Sequence, residues 1–110
     1  MKVEVHFTHM DRSETLEQQV LEKVGVVLQD LLHRETAHAQ VWLVSDHSRH
    51  HAKGVPEYRC EIEVRFPPRK DCFVSKTDPD MSVAIHDAIG ALKSMLRAGA
   101  KREIALARHS

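Results

Sequence analysis

The chain has 110 residues, 42% apolar and 29% charged, a composition that suits one globular domain with a single core and no need of disulfides or metal. Sixteen Lys and Arg balance sixteen Asp and Glu, so total charge gives no argument for a nucleic-acid partner by itself. No apolar run approaches the roughly 18 residues of a membrane helix, and the polar, alternating start Met1-Lys2-Val3-Glu4-Val5-His6 is unlike a signal peptide; both point to a cytoplasmic protein.

Residues 2–8 alternate, with Val3, Val5 and Phe7 on one side and Lys2, Glu4, His6 and Thr8 on the other, the pattern of a half-buried strand. His9 to Arg12 is a turn. Ser13 and Asp11 are both candidates to cap the helix that follows, and Asp11 with Glu14 has capping-box spacing. Leu16, Val20, Val24, Val27, Leu28 and Leu31 form one helical stripe to about Leu32. Within it, Val24-Gly25-Val26-Val27 is a poor local helix former that burial has to hold.

A second strand spans about 37–45, with Ala37, Ala39, Val41 and Leu43 sharing a face opposite His38, Gln40, Trp42 and Val44. The polar loop 46–56 ends in Gly54 and Pro56. The third strand, 57–66, alternates most clearly: Tyr58, Cys60, Ile62, Val64 and Phe66 against Glu57, Arg59, Glu61, Glu63 and Arg65. Pro67 and Pro68 break it, and a fourth strand covers about 72–76. Asp78 then fits an N-cap with Pro79 at the first position of a last helix. Its stripe is Met81, Ile85, Ala88, Ile89, Leu92, Met95 and Leu96, and Gly99 is a candidate end, with helix onward through Lys101-Arg102-Glu103 as the alternative and about 103–110 as a tail.

Strand, helix, three strands, helix, each strand with one apolar face, imply an α+β two-layer sandwich: a four-stranded antiparallel sheet with both helices packed on one face. The other face would carry Lys2, Glu4, His6, Trp42, Arg59, Glu61, Glu63 and Arg65, a mixed-charge surface.

Charge is unevenly placed. From Ser13 to Leu32 there are four acids (Glu14, Glu17, Glu22, Asp30) and one base, Lys23; from Lys93 to Arg108 there are five bases (Lys93, Arg97, Lys101, Arg102, Arg108) and one acid, Glu103. The last helix is therefore the candidate for nucleic-acid contact, although cations near a helix C-terminus also suit the helix dipole. His47, His50 and His51 beside Asp46 are close enough to consider for a transition metal, but adjacent His50 and His51 do not readily face one ion, and a solvated loop is the simpler reading. Protonated, they would add to Arg49 and Lys53. Trp42, away from the expected core, suits stacking or a partner anchor, or cover by a neighbouring segment. Cys60 and Cys72 lie on apolar strand phases with no metal spacing and read as reduced structural thiols. No nucleophile elbow, phosphate loop or HExxH is present, so no enzyme, cofactor or small-molecule substrate is expected.

The element order and several helix residues resemble the ribosome hibernation-promoting factor family, also called ribosome-associated inhibitor, S30EA or sigma-54 modulation proteins. In the last helix, Asp80-Met81-Ser82-Val83-Ala84-Ile85-His86 is similar to the family's Asp-Met-Tyr-x-Ala-Ile-Asp, and Leu92-Lys93-Ser94-Met95-Leu96 to its Leu-x-Arg-Gln-Leu. In the first, Ser13-Glu14-Thr15-Leu16 and Lys23 match a Thr-Glu-x-Leu start and a later Lys. The similarity covers roughly residues 1–102 and looks like the short members. It implies a non-enzymatic inhibitor of translation that occupies the decoding region of the small ribosomal subunit in stress or stationary phase, with the helices contacting ribosomal RNA phosphates. Ala91, Ser94 and Ala98 stand where the family is basic, and Val26 where a second Lys is common. The implied RNA-binding set is Lys23, Lys93, Arg97, Lys101 and Arg102. The alternative is a divergent protein-interaction module on the same fold, self-association through sheet edges being one version.

Overall fold

The computed structural model describes residues 2–31, 37–46, 57–66 and 71–108, with side chains described up to Ala98 in the last helix and not for Asp46. The elements are β1 (Lys2–Thr8), α1 (Glu14–Leu31), β2 (His38–Asp46), β3 (Glu57–Arg65), β4 (Cys72–Asp78) and α2 (Met81–Arg108). This is the expected β-α-β-β-β-α order. The strands lie in one sheet in sequence order, β1-β2-β3-β4.

The sheet is mixed, which corrects the antiparallel expectation. β2 pairs antiparallel with β3 and β3 with β4, whereas β1 pairs parallel with β2. The cause is the first connection. An 18-residue helix is about 27 Å long at 1.5 Å per residue, enough to return the chain to the starting end of β1. The next strand then runs in the same direction.

Ser13 caps α1. The Leu16 N–H donates to Ser13 Oγ at 3.3 Å and the Glu17 N–H to the Ser13 carbonyl at 2.9 Å, so of the two cap candidates Ser13 is the one in use. Before it, His9 turns the chain with a positive φ of 57°. The helix runs unbroken through Val24-Gly25-Val26-Val27, held by burial of Val20, Val24, Val27 and Leu28.

The start of α2 is also corrected. β4 continues to Asp78, which pairs with Tyr58 in the ladder and so stays extended. Asp80 is the cap: its Oδ1 accepts from the Ser82 N–H at 2.9 Å and its carbonyl from the Ala84 N–H at 3.1 Å. Asp78 Oδ1 in turn accepts from the Asp80 N–H at 2.9 Å and fixes the turn. α2 passes Gly99 and stays helical to Arg108, so the stretch expected as a tail from about 103 is part of the helix to that point.

The core lies between the sheet and the helices. Ala39, Val41 and Leu43 of β2, Cys60, Ile62 and Val64 of β3, and Ala84, Ile85, Ala88 and Leu92 of α2 are fully buried. A buried Val, Leu or Ile side chain contributes about 1.5–3 kcal/mol. α2 packs across β4 and β3, and α1 against β1 and α2. Met95, expected on the buried stripe, is 42% exposed; the core-facing positions of that turn are Leu92 and Leu96. No helix among the described residues is long and apolar enough to cross a membrane.

Among the described residues the other sheet face bears no helix, and register orders it into cross-strand rows. Lys2, His38 and Arg65 form one row; Glu4, Gln40, Glu63 and Phe73 the next; His6, Trp42, Glu61 and Ser75 the third; Thr8, Val44, Arg59 and Thr77 the fourth. His6 stacks on Trp42, ring centroids 5.7 Å apart. Lys2 pairs with Glu4 at 3.0 Å, Arg59 with Glu61 at 2.7 Å and Arg65 with Glu63 at 2.8 Å. Lys2, hydrogen-bonded to Glu4, holds that carboxyl below the usual range.

Candidate nucleic-acid interface

One edge of α1 packs beside one edge of α2. Between them runs an open groove of about 820 Å³. From α1 it is lined by Glu14, Gln18, Glu22, Lys23, Val26 and Asp30 among others, and from α2 by His86, Ile89, Lys93 and Arg97. Val27 and Ile89, both nearly fully buried, form part of its floor.

Three of the five expected RNA-binding residues therefore line one feature. Lys23, Lys93 and Arg97 are exposed there, and among the described residues none of them is engaged in an ion pair. Lys93 and Arg97 are one turn apart on α2, so their heads are neighbours. Lys101 and Arg102 belong to the same helix beyond Arg97, but their side chains lie outside the described residues. Ser94, at a family basic position, donates its hydroxyl back to the Gly90 carbonyl at 3.2 Å.

The groove is electrically divided. Its α1 wall presents Glu14, Glu22 and Asp30 around Lys23; its α2 wall presents Lys93 and Arg97 with His86. An anionic polymer would be drawn to the α2 side and repelled along most of α1. The positive surface is a strip on α2, broken on α1. The bases and the acidity of α1 are plain in the sequence, but their meeting in one groove is not. The usable signal is spacing: Glu22, Val26 and Asp30 recur every four residues and share a ridge next to Lys23.

The remaining candidates separate from this groove. Trp42 is on the opposite sheet face. His47, His50 and His51, with Arg49 and Lys53, lie outside the described residues. Among the described residues no three His, Cys, Asp or Glu side chains converge on a metal position. Cys60 and Cys72 are not joined in a disulfide, and burial pushes the Cys60 thiol up to about 12, Glu61 adding to the shift.

The fold and the helix motifs define a known class. Over residues 3–103 the sequence matches the family described as Sigma 54 modulation protein / S30EA ribosomal protein, and the chain belongs to that family. Solved structures share its fold, two among them over most of their length. One is the Thermus thermophilus Protein Y N-terminal domain, at 20% identity, TM-score 0.70, covering 89% of this chain and 98% of that one. The other is a ribosomal subunit interface protein from Coxiella burnetii, at 13% identity, TM-score 0.72, covering 92% and 99%. No curated protein sequence matches the chain.

Proposed function

We propose that this protein is a non-enzymatic, cytoplasmic translation inhibitor that associates with the small ribosomal subunit in stress or stationary phase, binding ribosomal RNA of the decoding region. The observation that carries the reading is the meeting of Lys23, Lys93 and Arg97 in one groove of an S30EA-family chain. The likeness to the Coxiella burnetii protein, a ribosomal subunit interface protein, is in keeping with it. Lys101 and Arg102, later in the sequence of α2, belong to the same proposed set.

Physically, each Lys or Arg that meets a phosphate releases condensed counterions, so binding is strong at low salt and falls as salt rises. Such contacts read RNA shape and phosphate position rather than base identity. The acidic wall of α1 confines the RNA path to the α2 side. The test is co-sedimentation with 30S and 70S particles from stationary-phase cells. The chain should pellet at low salt and be released at high salt, and joint charge reversal of Arg97, Lys101 and Arg102 should weaken pelleting. A chain that stays in the supernatant even at low salt overturns the reading.

The acidic α1 wall favours a second reading, a divergent protein-interaction module on the same fold. Its mark would be a protein partner retained after nuclease treatment.

A further inference from the structure

We infer that the helix-free face of the sheet is self-complementary and takes a second copy of this chain. The outward positions of β3 run Glu57, Arg59, Glu61, Glu63, Arg65. Read backwards, acids fall on bases everywhere except at the centre. Two copies laid face to face, β3 antiparallel over β3 about a two-fold axis through Glu61, set Arg59 of each against Glu63 of the other. The same operation sets Arg65 against Glu57, and each pair occurs twice by symmetry.

The axis follows a cross-strand row. Glu61 is opposite Trp42, and Trp42 opposite His6. The His6–Trp42 stack of one copy therefore meets that of the other at the middle of the contact, where an aromatic anchor contributes most. The two Glu61 carboxylates are the one like-charged pair, and each already has its own Arg59 at 2.7 Å. That ion pair is close but not aligned as a hydrogen bond: Arg59 Nε, like His38 Nε2 on the same face, is shielded from water and has no hydrogen-bond acceptor among the described residues. Part of the desolvation cost is therefore met before association. Two sheets packed this way keep their strands within about 30° of alignment.

The size of the face sets the strength. Four strands about 4.8 Å apart, with about 25 Å of usable length, offer on the order of 500 Å² per copy. About 1,000 Å² in total belongs to weak, reversible complexes. The contact leaves both helix layers outside, so it is independent of the proposed RNA site.

The test is sedimentation equilibrium of the full chain over a wide concentration range, without nucleic acid. The wild type should show a concentration-dependent dimer. Arg59→Glu alone and Glu63→Arg alone should each weaken it by about tenfold or more, because each sets like charges together. An equimolar mixture of the two variants should associate nearly as well as wild type, since every reversed position then faces an opposite charge. Circular dichroism checks that both variants are folded. Three results would overturn the inference: a monomer at every concentration, a dimer indifferent to both substitutions (as pairing through the β4 edge would be), or a mixture no better than either variant alone.

Discussion

The His6 imidazole lies against the Trp42 indole with ring planes 24° apart, on the face of the sheet opposite α1 and α2. Trp42 is the only tryptophan in the chain, so its fluorescence reports that face alone. His6→Ala should red-shift the emission by opening the indole to water, with a stability loss of about 0.5–1.5 kcal/mol. An unchanged spectrum would mean that the stack does not shield the ring.

The two helix caps give a sharper test of local structure. Ser13→Ala and Asp80→Ala should each lower stability by about 1 kcal/mol, since each removes an acceptor from a first-turn N–H. Asp11→Ala should stay within about 0.5 kcal/mol of wild type, as an exposed residue that does not cap. Urea unfolding of the three variants decides between the caps.

How far these features are readable depends on what periodicity encodes. Alternation in 57–66 marks the buried face because a one-residue slip would turn Cys60, Ile62 and Val64 into solvent. Alternation in 2–8 says nothing of strand direction, so the parallel β1–β2 pair becomes visible only with α1 as its crossover. Asp78-Pro79 has the residue types of a helix start, but pairing of Asp78 with Tyr58 prolongs β4 and passes the cap to Asp80. Lys23, Lys93 and Arg97 are readable singly. That three acids share their groove follows from how α1 and α2 pack, a contact no local pattern contains.

Stability should fall in alkali through Cys60. Its native thiol is raised to about 12 by burial, while an unfolded thiol ionises near 8.5. Between those values the native state holds a proton that the unfolded state has given up, so unfolding becomes easier as pH rises, by up to about 1.4 kcal/mol per unit. Cys60→Val should flatten that slope in urea melts above about pH 9. Equal slopes in both proteins would show that the thiol does not carry the effect.

Val26 is 53% exposed in the groove. Val26→Lys should add a cation to the acidic wall, raise helix propensity by a few tenths of a kcal/mol, and strengthen association with ribosomal particles. Unchanged association would mean that α1 does not face the RNA.

The salt dependence of binding to purified small ribosomal subunits tests the basic strip on α2 most directly. Log affinity should fall linearly with log salt. Reversing Lys93 and Arg97 should lower the affinity and reduce that slope by about one for each phosphate no longer neutralised. Absence of binding at low salt, or binding that neither salt nor these reversals alter, would contradict a role for that strip.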